Sequence, residues 1–255
     1  VDLEQKKIKS LLFEDKKVYG VRLNINNMVW VLVEENSQIV IIDPSTLQTI
    51  RTVQLPEPGR DVIFSPNGQK AYVFLLNKGV LEIEINNDYR VSRTITTLPE
   101  RNKFQIRPFE LEVSLEGNKL FVSGQNNVAT VDVNTFIIET IPLPIAATSL
   151  ILKLTPDNKF LYAVEYLGAD FAVIDVRTKQ VKSFRTPLNI GILTAINISA
   201  DGRLAYISGF YGISIFDIEK QSFIANIQTT GMRVQDPFSL GLAISGDFSI
   251  GQAPT

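Results

Sequence analysis

Glu112 and Lys153 stand in otherwise apolar, strand-like runs, each two residues before a turn Ser or Thr, Ser114 and Thr155. A carboxylate and an amine buried close together usually form a structural ion pair. With shifted proton affinities the same groups could serve as a catalytic acid and base. A second concentration of functional side chains lies in three connecting stretches. Residues 99–110, PERNKFQIRPFE, carry Arg101, Lys103, Arg107, Phe109 and Glu110; residues 229–239, TTGMRVQDPFS, carry Arg233, Asp236 and Phe238; residues 56–61, PEPGRD, add Arg60 and Asp61. Arginine forks grip carboxylates and phosphates, and aromatic rings anchor partners. These residues are therefore the candidate ligand- or partner-binding set. The competing reading makes Arg60, Asp61, Glu110 and Asp236 mutual ion-pair partners on a solvated surface.

What is missing narrows the chemistry further. The 255 residues include no histidine and no cysteine. Serine–histidine and cysteine–histidine catalysis, zinc and facial-triad iron sites, disulfides and iron–sulfur ligation are excluded. Proton transfer is left to Asp, Glu, Lys, Arg and Tyr, and oxygen ligands leave calcium as the one cofactor to consider. No residue is assigned a catalytic role and no metal ligand is named. With 25 basic and 27 acidic residues interspersed, the net charge of −2 gives no reason to expect nucleic acid as a partner. No apolar run reaches the roughly 18 residues of a spanning helix.

The elements that must position these groups are set out by an internal repeat. An apolar run with an acidic marker recurs at Asp2, Asp43, Glu84, Asp132, Asp175 and Asp217, with spacings of 41, 41, 48, 43 and 42. Each unit reads as four strands with period-two alternation, punctuated by Gly, Pro, Asn and Asp. The first turn of the unit recurs as SPNG at 65–68, SLEG at 114–117, TPDN at 155–158, SADG at 199–202 and SGD at 245–247. Asn, Asp and Gly there tolerate the positive φ of a tight turn. The aromatics that follow, Tyr72, Phe121, Tyr162 and Tyr206, read as packing wedges. Strand repeats in the low forties point to an all-β, six-bladed β-propeller of four-stranded antiparallel blades, a single domain over 1–255. The last blade is expected to close with C-terminal inner strands and N-terminal outer strands, leaving no open edge. That composite blade is about seven residues short, which suggests either a chain extending beyond these ends or a stunted hairpin.

The stretches SPNGQKAYV (65–73), SLEGNKLFV (114–122), TPDNKFLYAV with AVIDVRTKQV (155–164, 172–181) and SADGRLAYI with IFDIEKQ (199–207, 215–221) resemble the YVTN family of propeller repeats. The resemblance spans nearly the whole chain. It departs in the first unit, where Asn24-Ile25-Asn26-Asn27 forms the turn, and in the second, where Glu84 replaces Asp. Relatives of that family include surface-layer proteins, periplasmic binding-type propellers, lactonase-like enzymes and amine-dehydrogenase subunits. The resemblance implies the fold. The function expected is non-enzymatic binding of a protein or small ligand at the channel mouth, in an extracytoplasmic (periplasmic, secreted or surface) protein. The alternatives are a histidine-free lactonase or lyase with Asp61, Glu110, Glu112 and Asn197 converging in a carboxylate-lined channel, or the propeller subunit of a larger redox complex.

Overall fold

The computed structural model describes residues 13, 16–75, 77–96, 110–147, 149–166, 168–187 and 190–228. These form five four-stranded antiparallel sheets, each made of four strands consecutive in sequence. The first contains β1 (Val18–Leu23), β2 (Val29–Val33), β3 (Gln38–Ile42) and β4 (Thr49–Gln54). The second contains β5 (Gly59–Phe64), β6 (Lys70–Leu75), β7 (Gly79–Glu84) and β8 (Arg90–Ile95). The third contains β9 (Leu111–Val113), β10 (Lys119–Ser123), β11 (Asn127–Asp132) and β12 (Ile138–Pro142). The fourth contains β13 (Leu150–Leu154), β14 (Phe160–Glu165), β15 (Asp170–Asp175) and β16 (Val181–Arg185). The fifth contains β17 (Leu193–Ile198), β18 (Leu204–Gly209), β19 (Gly212–Asp217) and β20 (Ser222–Gln228). The sixth sheet expected from the period falls on 1–12 and 229–255, outside the described residues.

The repeat signals act through local hydrogen bonds. The marker aspartates Asp43, Asp132 and Asp175 each accept backbone N–H bonds from the turn that follows, Asp132 from Asn134 and Thr135, Asp175 from Arg177 and Thr178. Four residues after each marker the chain turns left-handed, at Leu47, Asp88, Phe136, Lys179 and Gln221. A charged acceptor beside several N–H donors offsets that strain. At the other turn of the unit, Ser65, Thr155 and Ser199 each place a hydroxyl between two backbone groups or an Asx side chain. The positive φ falls on Asn27, Gly68, Gly117, Asn158 and Gly202.

Burial is graded across each sheet. The two middle strands are almost wholly buried, and the fourth strand is mostly exposed. The chain forms two compact units, Val1–Thr96 and Thr97–Thr255. In the first unit, Trp30, Leu32, Ile39 and Ile41 of the first sheet pack against Val62, Ala71, Val73 and Ile83 of the second. In the second unit one core joins the third and fourth sheets around Phe121, Leu152 and Leu161, and another joins the fourth and fifth around Tyr162, Phe171, Ile207 and Phe216. Each Val, Leu, Ile or Phe among them contributes about 1.5–3 kcal/mol on burial. No helix among the described residues is long and apolar enough to cross a membrane.

Candidate functional site

Strand register aligns one ladder of side chains in every sheet. The rows are Arg22–Trp30–Ile41–Arg51, Ile63–Tyr72–Glu82–Arg93, Glu112–Phe121–Thr130–Glu139, Lys153–Tyr162–Val173–Lys182 and Asn197–Tyr206–Ile215–Ala225. The second position is always a ring, buried in each case. The first position carries the candidate polar groups. Because residues two apart share a sheet face, the register of the turn decides which side chains meet the neighbouring sheet.

In the first unit, Arg60 and Asp61 open β5 and meet the first sheet. The Arg60 guanidinium lies 4.3 Å from the centre of the Tyr19 ring and reaches Glu34 Oε1 at 3.4 Å. Its Nε–H is buried and meets no acceptor among the described residues. Glu34 also takes Lys17 Nζ at 2.7 Å. Asp61 is buried and accepts Arg22 at 2.9 Å. Glu57 of the same connection receives Asn77 N, Asn77 Nδ2 and Lys78 N, which pins the β6–β7 turn. Arg60 and Asp61 thus engage Glu34 and Arg22.

In the second unit, Glu112 and Lys153 meet at 3.1 Å across the third and fourth sheets, both partly exposed. Glu110, just before β9, accepts the Leu152 N–H of β13 through Oε2 at 2.9 Å. Asn197 uses its Oδ1 on the N–H of Ile198. Asp61 belongs to the other compact unit, while Glu110 precedes β9 and Glu112 lies within it. Arg101, Arg107, Phe109, Arg233, Asp236 and Phe238 lie outside the described residues. Among the described residues, no group of three or more Asp or Glu is placed to hold a metal ion.

Reasoning from sequence missed three groups. Arg22 sits two residues before the Asn24 turn, the same count that singled out Glu112 and Lys153. Glu34 follows β2 directly and carries no repeat signature. Glu82, two before the Glu84 marker, replaces the Ile, Thr, Val and Ile of the other rows. It is buried and bonds Lys70 Nζ at 3.0 Å, Arg93 Nε at 2.9 Å and Ser92 Oγ at 2.8 Å. Burial pushes its carboxyl up, but the bonds from Ser92, Arg93 and Lys70 outweigh that and hold it below its ordinary value. Burial, with the Glu82 charge, raises Tyr72 to about 12. Glu165 moves the other way, raised chiefly by burial despite N–H bonds from Asp170 and Ala169.

The fold matches solved structures. Hydrazine synthase of Kuenenia stuttgartiensis superposes with a TM-score of 0.70 at 12% identity, over 86% of this chain and 68% of that one. The Cps50 (Swd1) β-propeller domain of Myceliophteria thermophila superposes with a TM-score of 0.69 at 15% identity, over 89% of this chain and 78% of that one. The chain has a β-propeller fold. Its five described sheets are blades, and the aromatic of each row is a buried residue of its blade's second strand. No protein-family model matches the sequence, and no curated protein matches it.

Proposed function

We propose that this propeller is a non-enzymatic binding module, a single YVTN-type domain of six blades closed by its two ends and working outside the cytoplasm. The carrying observation is that the candidate acids and bases serve as ties. Asp61 accepts Arg22, Glu112 accepts Lys153, and Glu110 caps a backbone N–H. A general acid or base needs a proton affinity matched to its task and access to substrate. Asp61 and Glu112 are instead engaged by a cation on the neighbouring blade.

Arg60 is the binding anchor. Its guanidinium is preorganised on Tyr19, its Glu34 contact is long, and it retains a buried donor. A carboxylate on a small ligand or protein side chain would make shorter, charge-assisted bonds than Glu34 does. The other groups proposed to join it, by repeat position, are Arg101, Arg107, Phe109, Arg233, Asp236 and Phe238.

Two measurements test this reading. Acetate, citrate and a Glu-containing tetrapeptide are titrated while the amide resonances of residues 17–19 and 57–61 are followed. A saturable shift that vanishes in Arg60→Met is expected. Separately, lactones and uronate oligomers are incubated with the chain, with and without calcium. Turnover lost in Glu112→Gln would overturn the proposal in favour of an enzyme.

A further inference from the structure

The β5–β6 turn of the second blade carries the single Asn-Gly dipeptide of the sequence, Asn67-Gly68. An asparagine so placed is open to attack from its own backbone. The next nitrogen can close an imide ring on the carboxamide carbon, and glycine brings no Cβ to obstruct it. Asn67 is exposed, as are Pro66 and Gln69 on either side of the pair. Gly68 is buried, has φ +67°, and a Cβ there would collide with Ile25 of the first blade. The turn therefore holds a glycine beside an exposed asparagine.

Three blades build this turn from the same bonds. In the second, Asn67 Oδ1 accepts the Ser65 hydroxyl at 2.7 Å and the Gln69 N–H at 3.1 Å. In the fourth, Asp157 Oδ1 accepts the Thr155 hydroxyl at 2.7 Å and the Lys159 N–H at 3.0 Å. In the fifth, Asp201 Oδ1 accepts the Ser199 hydroxyl at 2.6 Å and the Arg203 N–H at 3.0 Å. Gly68, Asn158 and Gly202 each donate their N–H to the carbonyl of that Ser or Thr, at 2.8, 2.9 and 2.9 Å. The side-chain bonds all enter an oxygen, and Asn67 Nδ2 takes no part in them. A carboxylate makes such bonds stronger than an amide does. The Ser199 hydroxyl and Arg203 N–H hold Asp201 below its ordinary value. Burial raises Asp157, but the Thr155 hydroxyl and Lys159 N–H outweigh it and leave that group lowered too.

We propose that Asn67 is a self-modification site, at which the Gly68 nitrogen attacks the exposed carboxamide and the turn keeps the resulting aspartate in the bonds that Asp157 and Asp201 make. Gly68 N forms a bond to Asn67 Cγ and gives up its proton. The Cγ–Nδ2 bond breaks, and Nδ2 leaves with that proton as ammonia. Water then opens the imide. Cleavage of the Cγ–N bond restores the main chain and leaves aspartate at position 67. Cleavage on the main-chain side gives isoaspartate, which adds a methylene to the backbone and draws Gly68 away from Ser65 O and Ile25. Since the Gly68 N–H is bonded in the closed turn, attack waits on a local opening, which an exposed turn allows at small cost. On reclosing, aspartate recovers every bond of the repeat while isoaspartate does not. The product carries one further negative charge.

Peptide mapping of the full chain, fresh and after ageing in mildly alkaline buffer, tests the proposal. Conversion at Asn67 is expected to run ahead of that at Asn36, which is also exposed but is followed by Ser37. Aspartate should dominate over isoaspartate in the material that remains folded. Asn67→Gln, whose longer side chain closes a ring slowly, should stay unmodified. Asn67→Asp mimics the product and should melt above the wild type near neutral pH. A carboxylate lowered as Asp157 and Asp201 are lowered contributes fully above the unfolded pKa of about 3.9. The gain should fade as pH falls through the folded value. Conversion at Asn67 no faster than at Asn36 overturns the proposal. So does isoaspartate as the main product in the folded fraction, or an Asn67→Asp chain that melts below the wild type at neutral pH.

Discussion

The contact between the first and second blades and that between the fourth and fifth join like sheets with opposite chemistry. The former places Trp30 edge-on to Phe64 at 5.0 Å, then adds charge: Arg22 to Asp61, and Arg60 to Tyr19 and Glu34. The latter stacks rings. Phe216 sits within 5.0–5.3 Å of Phe171, Phe184 and Phe223, and Tyr162 closes the cluster. A repeat therefore prescribes where blades touch, while leaving open whether the contact is ionic or apolar. The apolar contact should carry more stability, because its rings lose water without having to replace strong hydration. The ionic one should carry pH and salt dependence.

Phe216→Ala is the sharpest way to break this contrast. It removes a fully buried ring from the cluster and should cost about 3–5 kcal/mol in urea unfolding. A loss no larger than that of a surface substitution would mean the cluster is not what joins the two blades.

Glu82→Gln comes next. Lys70 and Arg93 are partly exposed and can turn to water, so a loss of about 1–3 kcal/mol at neutral pH is expected. The folded Glu82 titrates below its ordinary value, so its contribution is fully present above the unfolded pKa of about 4.3. It fades as pH falls through the lowered folded value. Stability curves of the wild type and Glu82→Gln should accordingly converge in acid; curves that stay parallel from neutral to acid pH contradict the pairing.

A double-mutant cycle on Glu112→Gln and Lys153→Met should give a coupling below about 1 kcal/mol, since Lys153 is more than a third exposed, and it should shrink in molar salt. A salt-independent coupling of several kcal/mol would make this pair part of a buried site and reopen the catalytic reading. The smallest effect is a gain. Leu47 is exposed with φ 60°, so Leu47→Gly should raise stability by about 0.5–1 kcal/mol in thermal unfolding. No gain there would show that the turn after Asp43 is unstrained.

Much of the scaffold was legible because its signals are local. The marker aspartates and the Asn or Gly of the first turn act on groups within a few residues, so their positions located five of the six expected four-stranded units. Glu112 and Lys153 stood out because they interrupt apolar strands. Arg22 and Glu34 did not, because their roles depend on which residues of the second blade come opposite, a matter of packing between segments some 26–39 residues apart. Glu82 looked like an ordinary alternation in VLEIE, and only the register with Lys70 and Arg93 explains a carboxylate in that row. Tyr162 read as a packing wedge, but its meeting with Phe171 and Phe216 required the fold.

The Glu110 contact also has a bearing on aggregation. β13 is the first strand of its sheet, and Leu152 presents an N–H that β14 does not take. Such a row of open donors can recruit a foreign strand. The Glu110 carboxylate occupies one donor and sets a negative charge where an incoming strand would have to lie. Besides joining two blades, it acts as a gatekeeper against misassembly, protecting a segment, LILKL, whose composition would otherwise favour addition of strands from other molecules.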